Sequence, residues 1–153
     1  MKYLKCLIPI LLMAAVAHGQ EESGNLKALV EGKRFVFAAE SASPPKARTI
    51  SLTPGYTVKL SGDTIICDLP YYGRSYSAPI GATDGGIKFT STDFTYTVKD
   101  RKKGGWDISI KVKDNTRTHQ FFFTISPKGP ASLRAIPSDR QSISFNGYIK
   151  GSQ

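Results

Sequence analysis

From Leu69 to Phe89 the chain reads LPYYGRSYSAPIGATDGGIKF, which puts Tyr71, Tyr72, Arg74 and Tyr76 in one short span. A tyrosine presents an apolar ring tipped by a hydroxyl, and an arginine presents a planar fork that pairs with a carboxylate or phosphate at two points. At the mouth of a small β-structure the four side chains would grip a small apolar or weakly anionic ligand. The same residues also serve a plainer purpose, in which the tyrosine rings close the end of a barrel and Arg74 satisfies backbone carbonyls. A cavity beside Tyr72 separates the two uses.

Other chemistry finds few residues to work with. Beyond the leader, the chain holds one histidine, His119, and one cysteine, Cys67. These cannot build a clustered nitrogen and sulfur zinc site, and no metal or cofactor is expected. A nucleophile triad needs a histidine held by a carboxylate, whereas His119 shares its strand face with Phe121 and Phe123 and reads as packed. Asp68, Asp84, Asp93, Asp107 and Asp114 supply carboxylates for a glycosidase pair, but nothing selects two of them. No catalytic residue is therefore assigned, and an uncharacterised hydrolase ranks third among the functions.

Asp84-Gly85-Gly86 precedes the strand-like Ile87 to Phe89, where a nucleotide phosphate loop would precede a helix. Glycines free to take positive φ account for it as a turn. The basic run Lys99 to Lys103 and the later Lys111, Lys113 and Arg117 flank opposite ends of the strand-like Trp106 to Val112. That strand, about 23 Å long, divides the charge into two small basic ends, not one groove for nucleic acid. Such turn charges also discourage edge pairing.

The elements that must position these residues begin after a leader. Residues 1–19, MKYLKCLIPILLMAAVAHG, carry Lys2 and Lys5, an apolar run from Leu7 to Ala17 and a small-x-small Ala17-His18-Gly19, the pattern of a cleaved signal peptide. Cleavage after Gly19 leaves residues 20–153 as a single domain and lowers the net charge from +9 to +7. The apolar run is shorter than the roughly 20 residues of a membrane span, so no transmembrane segment is expected and the location is periplasmic or extracellular. One cysteine forms no internal disulfide, and Cys67 alternates with Ile65 and Leu69 on one face, the setting of a buried thiol.

Ser23 caps an expected short helix through Leu26, Leu29 and Val30, ended by Gly32. From Phe35 onward apolar residues recur every second position, at Tyr56, Val58 and Leu60, at Phe94, Tyr96 and Val98, at Trp106 through Val112, and at Phe121, Phe123 and Ile125. Ala131, Leu133 and Ala135, then Ile143 and Phe145, continue the pattern. Short breaks at Ser61-Gly62-Asp63, Lys102 to Gly105, Lys113-Asp114-Asn115 and Pro127-Lys128-Gly129 suit hairpins, and Ser41 to Pro45 reads as an extended loop. About eight strands with one-sided alternation predict an all-β fold, an antiparallel up-and-down barrel or a closely related sandwich, with sequential pairing.

Leu69-Pro70-Tyr71-Tyr72-Gly73-Arg74 and Asp84-Gly85-Gly86-Ile87-Lys88-Phe89, with Phe35-Val36-Phe37, Ala131-Ser132-Leu133-Arg134 and Ser142-Ile143-Ser144, resemble a family of secreted bacterial proteins catalogued as a domain of unknown function. The resemblance covers nearly the whole mature chain. It implies a lipocalin-like barrel and an exported location in Gram-negative bacteria, with no activity to carry over. Two functions lead. One is a non-enzymatic protein holding a small apolar or anionic ligand at the barrel mouth. The alternative is a structural protein of the envelope, its barrel filled by Trp106, Phe121, Phe123 and Phe145 and its outer surface meeting an envelope protein partner. Oligomeric state is not legible here.

Overall fold

The computed structural model describes residues 18–73, 85–113 and 119–152. Among these residues one helix, α1 (His18–Glu31), precedes ten strands: β1 (Arg34–Ser43), β2 (Ile50–Ser51), β3 (Thr57–Ser61), β4 (Thr64–Leu69), β5 (Ile87–Ser91), β6 (Phe94–Asp100), β7 (Trp106–Val112), β8 (His119–Ile125), β9 (Pro130–Pro137) and β10 (Ile143–Gly151). The sheet runs in the order β5-β4-β3-β1-β10-β9-β8-β7-β6, with the two-residue β2 beside the end of β1. Nine strands so ordered curl into a nearly closed antiparallel barrel.

Alternation of apolar and polar residues makes the strands, since each inward residue loses its surface to the core while its neighbours face water. Trp106, Ile108, Ile110 and Val112 are buried along β7, and Asp107 and Lys111 between them are exposed. Ile65, Cys67 and Leu69 are likewise buried along β4, as their shared face predicts. Ser41 to Ser43 depart from the expected loop. They extend β1, because Ala42 and Ser43 pair with Phe145 and Ser144 once a bulge at Glu40 has absorbed one residue. Gly147 lies across from that bulge, where a Cβ would overlap the Ala38 carbonyl oxygen.

Sequential pairing fails at one instructive place. Every neighbouring pair in the nine-strand path is antiparallel, so β5 and β6 at its two ends run in the same direction. They are also consecutive in sequence, linked only by Thr92 and Asp93. This link is therefore no hairpin: β5 and β6 are two halves of one bent strand, the first paired with β4 and the second with β7. The buried Ser91 holds the bend, its Oγ accepting the Asp93 N–H at 3.2 Å. Lys113 N–H donates to the Asp93 carbonyl at 2.8 Å and starts the second ladder.

Aromatic rings meet across the interior. Phe35 and Phe37 of β1 lie edge-on to Phe123 of β8 at centroid distances of 6.0 and 5.6 Å. From another side, Phe89 of β5 stacks on His119 of β8 at 4.8 Å and tilts against Phe121. His119 is thus a packed ring, as its strand face predicts. Strands far apart in the sheet touch through side chains, so the described residues fill the barrel centre.

The helix covers the end of the barrel where β1 begins. It starts at His18, ahead of the expected cap at Ser23. Leu26 and Val30 are buried, and the Val30 carbonyl accepts a 2.7 Å hydrogen bond from Tyr96 Oη on β6. Lys33, with a left-handed φ of 53°, turns the chain into β1, and its carbonyl accepts Gly62 N–H of the β3–β4 hairpin at 3.0 Å. The opposite end, where β4 finishes and β10 starts, carries the tyrosines.

Candidate functional site

At that rim β4 gives way to Pro70, Tyr71 and Tyr72, and the chain between β9 and β10 brings Asp139, Arg140 and Gln141 alongside. Arg140 is 7% exposed, a charge taken almost out of water, and its surroundings answer that. Its Nη1 donates to the Gly85 carbonyl at 2.7 Å, and its Nε and Nη2 reach the two Asp139 carboxylate oxygens at 3.2 Å each. Its guanidinium lies 4.8 Å from the centre of the Tyr71 ring, a cation–π contact. Tyr71 Oη in turn donates to the Gln141 carbonyl at 3.1 Å. The two sides of the tyrosine-rich segment are therefore both fastened here, Tyr71 to Arg140 and Gln141 and Gly85 to Arg140.

This separates the four predicted site residues. Tyr71 is half-buried and engages both ring and hydroxyl in the clamp, so it supports the rim. Tyr72 is exposed and lines a recess of about 350 Å³ with Pro44, Pro45, Lys46, Ile50 and Gln141. Arg74 and Tyr76 lie outside the described residues, as does Asp84.

The recess is built by the connection from β1 to β2. Ser43 Oγ and Thr49 Oγ1, 3.0 Å apart, tie the base of that connection. Pro44 and Pro45 carry fixed φ angles, which stiffen the wall facing Tyr72. Lys46 supplies a cation at the edge, and Ile50, Tyr72 and the prolines supply apolar surface. Sequence reasoning missed this wall, although consecutive prolines beside a lysine are a signal of a rigid exposed loop. It missed Arg140 as well, because a lone Asp-Arg pair after Pro137 carries no periodic pattern.

Gly85, the first described residue of the Asp84-Gly85-Gly86 turn, contributes the carbonyl held by Arg140. The carboxylates of the described residues are dispersed. Asp68 faces Lys88 at 3.6 Å, Asp107 accepts Thr124 Oγ1 at 2.9 Å and lies 3.5 Å from Arg101, and Asp93 sits at the strand bend. Among the described residues no three histidine, cysteine or acidic side chains come together as metal ligands, and no helix is long and apolar enough to cross a membrane. Cys67 is buried, donates from Sγ to the Ile87 carbonyl at 3.3 Å, and has its pKa pushed up by burial, with Asp68 adding to the effect. Such a thiol is a poor nucleophile.

No curated protein matches the sequence. Among solved structures, the fold matches the crystal structure of a DUF4251 family protein from Bacteroides eggerthii DSM 20697 with a TM-score of 0.68, over 86% of this chain and 88% of that one. At 16% identity that likeness speaks for the shared barrel alone. The family model described as "Domain of unknown function (DUF4251)" matches residues 17–149, and the chain belongs to that family.

Proposed function

We propose that the protein is an exported, non-enzymatic binding protein of the periplasm or cell exterior, whose rim recess beside Tyr72 holds a small apolar or weakly anionic molecule. The recess itself carries the reading. Its volume of about 350 Å³ falls in the range of small-molecule pockets, and an aromatic ring, two prolines and an isoleucine line it with one lysine at the edge. The export signal of residues 1–19 supports the location. The ligand sits on the barrel's mouth and not inside it, because Phe123 and the rings it meets occupy the centre.

The naphthalene sulfonate probe ANS has the chemistry the recess suits, an apolar ring system with one negative charge. Fluorescence titration should show saturable binding, weakened about fivefold or more by Tyr72→Ala, since an aromatic contact contributes roughly 1 kcal/mol. Lys46→Ala should weaken it less and remove its salt dependence. Saturable binding that Tyr72→Ala leaves unchanged would defeat the proposal. The filled interior favours a second reading, in which the outer surface meets an envelope protein; complete absence of saturable probe binding would shift the balance to it.

A further inference from the structure

The geometry points to β6 as a surface on which a second copy of this chain docks, edge to edge and antiparallel, about a two-fold axis through Thr97. The ladder fixes which backbone groups are available. Asp93 and Arg101 each bond to the β7 side, through Lys113 N–H to the Asp93 carbonyl at 2.8 Å and Arg101 N–H to the Gly105 carbonyl at 3.1 Å. Antiparallel pairing alternates, so the odd-numbered residues between them also face β7, and the N–H and C=O groups of Phe94, Tyr96, Val98 and Asp100 face the other edge. Because β5 runs on into β6 and pairs with β4, it does not close that edge, and among the described residues β7 is the one strand paired with β6. The inward side chains show the same opening. Phe94, Tyr96 and Val98 are half-buried, whereas Ile108, Ile110 and Val112 on the adjoining β7 are buried.

An unpaired edge flanked by half-exposed apolar side chains is a template for another strand. The sequence of β6 is complementary to itself. With Thr97 on the axis all seven strand residues pair, so that Tyr96 faces Val98, Lys99 faces Thr95 and Asp100 faces Phe94, each twice. Just beyond the strand Arg101 faces Asp93, also twice, and no like charges meet. The pairs of even-numbered residues exchange about eight backbone hydrogen bonds. The lysines and arginine at the end of β6, which oppose arbitrary edge pairing, thereby select this register. A contact of one strand and its flanks belongs with the smaller, transient interfaces, so association should appear at tens of micromolar.

The test uses the full chain in light scattering coupled to size exclusion, from about 5 to 200 µM at low salt. The mass should rise towards twice the monomer value. Thr97 is exposed on the outer face of β6, so its variants keep the fold. Thr97→Lys and Thr97→Glu each place like charges about 5 Å apart across the axis and should return the mass to that of a monomer, while an equal mixture of the two should restore doubling. Thr97→Cys should form a covalent dimer on mild oxidation, because opposed residues of this kind have Cα atoms about 4.5 Å apart, within disulfide range. A wild type that stays monomeric throughout overturns the inference. So does a dimer that survives Thr97→Lys and fails to cross-link through Thr97→Cys.

Discussion

Arg140→Met removes the guanidinium that joins the two sides of the tyrosine-rich segment while keeping an unbranched side chain of similar reach over the Tyr71 ring. Three losses follow. The Gly85 carbonyl loses a charge-assisted hydrogen bond of 2.7 Å, an interaction of about 1.5–3 kcal/mol. The Tyr71 ring loses its cation, about 0.5–1 kcal/mol. Asp139, whose side chain is 11% exposed, loses the partner that met both of its oxygens, and breaking a buried pair from one side costs about 3–5 kcal/mol. These losses overlap, since one group makes all three contacts, and a net destabilisation of about 3–4 kcal/mol is expected. Urea unfolding should show a lowered midpoint with an unchanged slope. Arg140→Lys should recover little, because an ammonium cannot span both carboxylate oxygens and the Gly85 carbonyl together. Adding Asp139→Asn to Arg140→Met should recover part of the loss, because the buried carboxylate is then no longer left without the Arg140 charge. A loss below about 1 kcal/mol for Arg140→Met alone would refute the view that this residue fastens the rim.

Two further consequences concern the opposite end and the bulge. Burial raises the Tyr96 pKa, so the folded state favours its neutral form, and stability present below about pH 10 declines as the unfolded chain ionises above it. The limiting slope is about 1.4 kcal/mol per pH unit, and the ring's partial contact with solvent lowers this to about half. Urea midpoints from pH 8 to 11.5 should thus fall more steeply for wild type than for Tyr96→Phe, which also costs about 1 kcal/mol at pH 7 through the lost bond to Val30; parallel profiles would contradict this. Gly147→Ala forces a methyl onto the Ala38 carbonyl and should cost about 2–3 kcal/mol, whereas Gly85→Ala, with open space around it, should stay within about 0.5 kcal/mol. Equal losses in the two would remove the steric account.

How much of this was legible in the sequence depended on whether period or partner set the structure. Strand faces follow from a period of two, so the burial of Cys67, Phe121, Phe123 and Leu133 could be read directly. The bend at Thr92 and Asp93 could not, because Ser91-Thr92-Asp93 serves a tight reversal as well as a continuation, and only the neighbours of β5 and β6 decide between them. The bulge at Glu40 was hidden for the same reason: it exists relative to β10. At the rim the tyrosines were conspicuous by type, but their roles diverge according to Arg140, a residue 69 positions beyond Tyr71 with no local mark. Composition located the corner, and one distant side chain divided it into a supporting tyrosine, Tyr71, and an exposed one, Tyr72, that lines the recess.

The filled barrel also constrains where selection for binding could act. Phe123 touches Phe35 and Phe37 across the interior, and replacing such a ring with alanine costs about 3–5 kcal/mol, a large part of the 5–15 kcal/mol that stabilises an ordinary domain. A central cavity of ligand size would need several such replacements, and among the described residues Cys67 is a free thiol, with no disulfide to offset them. The β1–β2 connection is under no such constraint. Lys46, Ala47 and Arg48 are exposed, while Tyr71 and Arg140 hold the opposite wall in place without entering the recess. Changes there alter the recess while leaving the core intact, so under the proposed binding role ligand preference would vary with the sequence of this connection while the buried phenylalanines continue to specify the same barrel.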